Sequence, residues 1–248
     1  MLGIALRTSQ RQPILLDTEH ITTSGLQQYT VPAGTQYIEI EMWGGGGGGG
    51  AGGNAGGRSG TMYQAGGGGG GGGYVKHRYN REEADLNEGD SLHFFVGKGG
   101  KGSSNISGTN EGGVGEATTF NGDTIGGLSH SFSTIPSAGG GGGGLCAFAF
   151  SWTAGGEGGE SDDGNMENID GEDGTARPSQ SASIVQGVDG GDAGGGGGGA
   201  GGGAGSCVTT AGHGSDPGGG GGGGAGCITS PLKGGNGAAG EIMIRAYG

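Results

Sequence analysis

Seven consecutive glycines follow Trp43 directly, and what precedes them reads as a strand. In "YIEIEMW" (Tyr37–Trp43), Ile38, Ile40 and Met42 fall on one side. Tyr37, Glu39, Glu41 and Trp43 fall on the other, the period-two pattern of a half-buried β-strand. The strand then gives way to a tract at 44–57, and further tracts follow at 66–73, 139–144, 194–205 and 218–226. Glycine loses more conformational freedom on folding than any other residue. A chain that repeats such tracts and still folds must obtain its cohesion in an unusual way.

The tracts limit the choice of structure. A helix is excluded because each glycine costs about 1 kcal/mol against alanine and no amphipathic period is present. A long strand is poor because it has no side chains to pack. Collagen needs glycine at every third position with abundant proline, whereas this chain has 6 prolines among 248 residues. What remains, besides flexible linkers, is an extended helix of the polyproline II type, with about 3 residues per turn and about 3.1 Å rise per residue. Such a helix makes no internal hydrogen bonds, so a buried copy must bond laterally to its neighbours. Without a Cβ, several rods can approach closely on all sides. Each lateral bond contributes only about 1 kcal/mol net, so one tract alone fails and a packed group on a sheet base is required. Linkers do not need five copies separated by short, chemically distinct loops, nor a closing strand.

That closing strand is "EIMIRAYG", where Ile242, Ile244 and Ala246 alternate with Met243, Arg245 and Tyr247. Its pattern mirrors Tyr37–Trp43, so the two are expected in one antiparallel sheet system with the glycine-rich sequence inserted between them. "YVKHRYN" (Tyr74–Asn80) reads as another strand. "LNEGDSLHFFVGKGG" reads as a turn followed by a strand with Leu92, Phe94 and Val96 on one face. "EATTFNGDTIGG" suggests a hairpin-like pair around Asn121-Gly122. The expected fold class is mainly β, an antiparallel β-sandwich framework bracketing an inserted bundle of polyglycine II helices. Residues 26–248 form that domain. Residues 1–25 precede it as an extended N-terminal arm of weak alternation, with loop character at Pro13 and at Thr22–Gly25.

Composition narrows the function. Glycine supplies 76 residues, the apolar fraction is 29%, and 24 acids against 11 bases give a net charge of −13. An acidic surface disfavours nucleic acid. No apolar stretch approaches membrane-spanning length, and the N-terminal apolar patch is too short for a secretory signal, so no membrane insertion is expected. Three cysteines, Cys146, Cys207 and Cys227, are too few for a disulfide scaffold. Cys207 and Cys227 share similar contexts, "GAGSC" and "GAGCI", which allows a disulfide between them.

Two stretches offer side chains for binding. In "LCAFAFSWT" (Leu145–Thr153), Phe148, Phe150 and Trp152 alternate between glycine-rich segments, fitting either a buried strand or an aromatic contact loop. From Glu157 to Asp173 there are eight acids and no base, among them Asp162, Asp163, Glu167 and Asp170. The run reads as a solvated acidic loop or as a contact for a basic surface. Its spacing does not match a calcium loop, and no metal site is expected. The histidines are dispersed, with no triad, no H-E-x-x-H, no phosphate-binding loop and no rigidly held carboxylate pair, so neither catalysis nor a cofactor is expected.

The combination "YTVPAGTQYIEIEMWGGGGGGG", "GGGGGYVKHRY", "GDSLHFFVGKGGKG" and "GEIMIRAYG" resembles the glycine-rich domain of bacteriophage tail-fibre and tail-tip adhesins, over roughly residues 27–248. The resemblance implies a virion protein at a tail fibre or tail tip, synthesised in the host cytoplasm. Loops at the far end of the glycine helices would bind a receptor, protein or polysaccharide, on the outer surface of a bacterium. The residues this assigns to receptor contact are Phe148, Phe150, Trp152, Asp162, Asp163, Glu167, Asp170 and His213, the last in the loop "TTAGHGSDP". Another part attaches to the tail fibre or another virion protein, and Arg7, Arg11, Ile14 and Leu15 of the arm are the candidates for it. The alternative is a purely structural virion component such as a cap, decoration or assembly protein. A third class, an ice-binding protein, would need short uniform loops and repeated Thr or Ala on one side, and the sequence has neither.

Overall fold

The computed structural model describes residues 12–57, 60–104, 111–121, 137–138, 144, 154–176, 186–196, 198–206, 209–225 and 232–248. The alternating stretches form strands. These are β1 (Leu15–Ile21), β2 (Gly25–Thr30), β3 (Tyr37–Trp43), β4 (Gly53–Gly57), β5 (Gly60–Gln64) and β6 (Tyr74–Asn80). After a single helical turn, α1 (Arg81–Ala84), come β7 (Ser91–Val96), β8 (Thr118–Asn121), β9 (Ser137–Ala138), β10 (Ser161–Asp162), β11 (Glu167–Ile169) and β12 (Glu241–Tyr247). Among the described residues the protein is mainly β, almost without helix.

Two antiparallel five-stranded sheets run in the orders β1-β12-β3-β6-β11 and β10-β9-β8-β7-β2. As the mirrored patterns of β3 and β12 require, the two strands pair directly, from Tyr37 opposite Tyr247 to Trp43 opposite Glu241. On the other side β3 pairs with β6, Tyr37 opposite Asn80 and Trp43 opposite Tyr74. The chain changes sheet between β1 and β2, β2 and β3, β6 and β7, and β10 and β11, and β1, β2, β10 and β11 are the edge strands. One hydrophobic cluster draws on both sheets. Ile38, Ile40, Met42, Val75, Tyr79, Ile242 and Ile244 come from the first, Tyr29, Leu92, Phe94, Val96 and Phe120 from the second. Ala84 of α1 and Leu86 just beyond it join this cluster. The helical turn stops at Asp85, whose left-handed backbone (φ 47°) brings its N–H back to the Arg81 carbonyl.

Part of the N-terminal arm belongs to this framework. Residues 15–21 are β1, paired antiparallel with β12 from Leu15 opposite Tyr247 to Ile21 opposite Ile242. Its alternation is weak because only Ile21 is buried, and the main chain supplies the attachment. Of the pair expected around Asn121-Gly122, β8 is present, bonded to β7; the return beginning at Gly122 lies outside the described residues. The first glycine tract is shorter than its composition suggests. Residues 53–57 leave it as β4, which pairs with β5 in a two-stranded hairpin. The β-branched and aromatic residues of "GTMYQ" favour that partner strand.

Residues 44–52, 66–72, 199–205 and 218–224 bond sideways in a register of three. Gly45 and Gly48 donate to the carbonyls of Glu116 and Gly113. Gly46, Gly49 and Gly52 donate to Ala238, Gly235 and Leu232, while Gly47 and Gly50 donate to Gly70 and Gly67. All these distances lie between 2.8 and 3.0 Å. The carbonyls of the same tract are filled in the same rhythm, Gly46 and Gly49 by Gly100 and Ser103, Gly47 and Gly50 by Gly221 and Gly224. Every third residue thus addresses the same neighbour.

Residues 44–52, 65–73 and 217–225 are buried throughout. The runs around them bury every third residue, for example Gly100 and Ser103, Gly112 and Gly115, Gly156 and Gly159, Val188, Gly191 and Gly194. At many glycines of the buried tracts a Cβ has nowhere to go. Placed on Gly49, Gly69 or Gly221 it would lie under 3.0 Å from the carbonyl oxygen of Gly222, Gly47 or Gly235 respectively.

Candidate functional site

The acidic stretch is not one loop. Residues 154–160 run along the buried tract 66–73, with Gly156 and Gly159 donating to the Gly68 and Gly71 carbonyls. The chain turns through β10 and β11, then returns at 171–174, where Gly171 and Gly174 donate to Gly159 and Gly156. A Cβ on Gly171 or Gly174 would lie under 3.0 Å from the Gly71 or Gly68 carbonyl oxygen of the tract beneath. The positions between the inward glycines point outward and carry the acids. Glu157, Glu160, Asp170 and Asp173, with Gly158 and Gly171, line an open polar cleft of about 590 Å³.

The candidate residues on this hairpin have distinct settings. Asp162 ends β10 and is exposed. Asp163 has a positive φ of 61°, and its carbonyl accepts a 2.8 Å hydrogen bond from Nδ1 of buried His77. Burial holds the His77 imidazole below its ordinary pKa. Glu167 is exposed in β11, opposite Lys76 of β6. Asp170 turns its carboxylate toward the chain, where Oδ1 accepts from the Ser161 N–H at 2.9 Å.

His213 stands elsewhere, exposed, on a run bonded to Gly203, Gly222 and Asn236. Its Nδ1 accepts the Asn236 N–H at 2.8 Å. Ile14 and Leu15 are 67% and 53% exposed at the start of β1. Phe148, Phe150, Trp152, Arg7 and Arg11 lie outside the described residues, as do the three cysteines. The structure therefore brings Asp162, Asp163, Glu167 and Asp170 onto one hairpin. Among the described residues, no group of three or more His, Cys, Asp or Glu side chains could hold a metal ion. No helix there is long and apolar enough to cross a membrane.

The outer face of the β12-β3-β6 sheet carries a constellation that the sequence reading passed over. Glu39 and Glu41, on the polar side of β3, are only 8% and 9% exposed. Arg78 bonds Glu39, Arg245 bonds Glu41, and the Lys76 ammonium lies 3.2 Å from Glu41 and 3.8 Å from Glu39. Burial alone would raise the Glu41 carboxyl, but hydrogen bonds from Arg245 and Lys76 together outweigh it and hold the group below its ordinary pKa. Beside this ladder Tyr37 stacks on Tyr247 with centroids 4.7 Å apart, and the Arg78 guanidinium sits 4.6 Å from the Tyr37 ring. The signal was in the matched alternation: E-x-E in one strand, K-x-R in a second and a lone Arg in the third, all on the side opposite the apolar residues. With its carboxylates tied to cations, this face presents aromatic and guanidinium surface and no free carboxylate from Glu39 or Glu41.

The model of a protein family described as "Glycine-rich domain" matches residues 22–247. No curated protein matches the chain.

Proposed function

Since the chain belongs to the glycine-rich domain family, we propose that it is a bacteriophage tail-fibre or tail-tip adhesin, built as a β-sandwich that carries a bundle of polyglycine II helices. The observation behind this reading is the register of three in the lateral hydrogen bonds of residues 44–52. A three-residue repeat with lateral bonds on every side is what packed polyglycine II helices require. The antiparallel pairing of β3 with β12 supports a framework that brackets the insertion.

On this reading the sandwich anchors a stiff glycine lattice, and the segments joining its rods meet a receptor on the bacterial outer surface. Phe148, Phe150 and Trp152 are the proposed aromatic anchors, since large rigid side chains dominate interface energetics. Asp162, Asp163, Glu167 and His213 supply polar contacts. Attachment to the fibre uses the N-terminal segment with Arg7, Arg11, Ile14 and Leu15; the exposure of the last two leaves apolar surface for a virion partner. The protein acts in the virion, without catalysis or cofactor.

The test is adsorption. Purified protein should bind receptor-bearing bacteria and block infection by the parent phage, and Trp152→Ala should weaken both. Binding to virion components alone, with no effect on adsorption, would overturn the adhesin reading in favour of a structural cap or decoration protein.

A further inference from the structure

Asp170 is one member of a repeated arrangement. The Gly171 N–H donates to the Gly159 carbonyl at 2.9 Å, while Asp170 Oδ1 accepts the N–H of Ser161, two residues further along the partner run. One repeat later, Gly174 donates to Gly156 at 2.8 Å and Asp173 Oδ1 accepts from Gly158 at 2.7 Å.

The same geometry recurs on a different pair of runs. Gly190 donates to Gly202 while Asp189 Oδ1 accepts from Ala204 at 2.7 Å. Ala193 donates to Gly199 while Asp192 Oδ1 accepts from Gly201 at 2.6 Å. It appears once with an amide. Gly237 donates to Gly100, and Asn236 Oδ1 accepts from Gly102 at 2.9 Å.

We infer that these residues are backbone clamps that close outer N–H groups of the glycine-rich half, so that Asp170, Asp173, Asp189 and Asp192 serve the fold. In each clamp the main chain of one residue bonds carbonyl j of the antiparallel neighbour, and the preceding side chain takes the N–H of j+2. An N–H in the interior of the array finds a carbonyl on a further run; at these positions no further run follows among the described residues, and the side-chain oxygen stands in for it. The residue after the acid faces inward, where a Cβ on Gly171, Gly174, Gly190 or Gly237 would come under 3.0 Å from a backbone oxygen. Hence the sequence signature is an acid or amide followed by a small residue, repeating every third position, as in "DGEDG" (170–174) and "DGGDA" (189–193). Closing these N–H groups also denies a second copy the open edge that would template lateral growth, as charges do on the edge strands of sheets.

Asn236 supplies the control, because an amide oxygen serves as well as a carboxylate. The experiment compares Asp189→Ala/Asp192→Ala with Asp189→Asn/Asp192→Asn in the full chain, reading amide hydrogen exchange and sedimentation. In the alanine pair the Gly201 and Ala204 amides should exchange at least about tenfold faster and self-association should rise. In the asparagine pair both should stay near wild type. Unchanged exchange in the alanine pair would overturn the inference, as would asparagine disrupting as much as alanine, since charge and not the acceptor would then matter. If the alanine pair does not fold, the single Asp192→Ala variant, read at Gly201, decides the same question. Cell binding is not the readout, so the clamps stand or fall independently of the receptor.

Discussion

At Trp43 a side chain still decides the packing, its ring against Tyr74 at 5.0 Å, and one residue later no side chain is present to decide anything. From there many glycines are fixed by what lies where a Cβ would be. Gly49 and Gly203 separate this cause from composition, since a Cβ on Gly49 collides with the Gly222 carbonyl whereas nothing lies within 4 Å of one on Gly203. Gly49→Ala should therefore cost about 1–3 kcal/mol or more, as overpacking does. Gly203→Ala should be neutral or stabilise by about 0.4–1 kcal/mol by restricting the unfolded chain. Denaturant melts of the two variants test this. His77 is the other residue with a defined expectation. Its folded pKa lies below the unfolded value of about 6.5. Between those values the unfolded state binds more protons, so stability is fully present above pH ~6.5 and is lost as pH falls toward the folded pKa. Melting temperature should drop on acidification through that window, and His77→Phe should flatten this part of the profile.

Among the elements, the three central strands of the first sheet were legible because both signals needed for a strand are present. Period-two alternation marks β3, β6 and β12, and each is bounded by glycine or a turn. β1 reads in the sequence only as part of an extended arm of weak alternation, since a strand with Leu15 and Leu16 exposed and held by main-chain bonds leaves little hydrophobic trace. The acidic segment was read as one loop because its period is three, not two or 3.6; Gly156 and Gly159 face inward while Glu157 and Glu160 face out. The ion-paired face was missed because a single strand shows its charges but not the register that sets Glu39 opposite Arg78 and Glu41 opposite Lys76. That face has its own test. Glu41→Ala strands Arg245 and Lys76 on a largely covered surface and should cost about 1–3 kcal/mol. Glu41 below its ordinary pKa contributes stability that is present above the unfolded carboxyl value and lost as pH falls through the folded one. The wild type should thus lose more stability than Glu41→Ala on strong acidification, measured by melting at each pH.

The whole molecule combines two kinds of interior. Between the sheets, residues such as Ile40, Phe94 and Ile244 have no exposure, as in any globular core. In the glycine-rich half the buried groups are peptide units bonded to one another. Unfolding exposes apolar surface in the first part and polar surface in the second, and these change the heat capacity with opposite signs. Calorimetry should give a heat-capacity increment per residue below the ordinary value of about 12–15 cal/mol/K, and hence a flatter dependence of stability on temperature. A value inside that range would mean that the glycine half contributes little ordered interior.

The placement of β12 between β1 and β3 reaches back to the ribosome. Among the described residues Leu15–Ile21 has its partner in Glu241–Tyr247 alone, and Tyr37–Trp43 has half of its pairing there. As synthesis proceeds at about 5–20 residues per second, β3 and β6 emerge together, but β1 waits through the whole glycine-rich insertion for the strand that holds it. The first sheet is therefore zipped shut after the segment it must hold has already been made. The nascent chain spends that interval as glycine-rich sequence with β1 uncommitted and one side of β3 open.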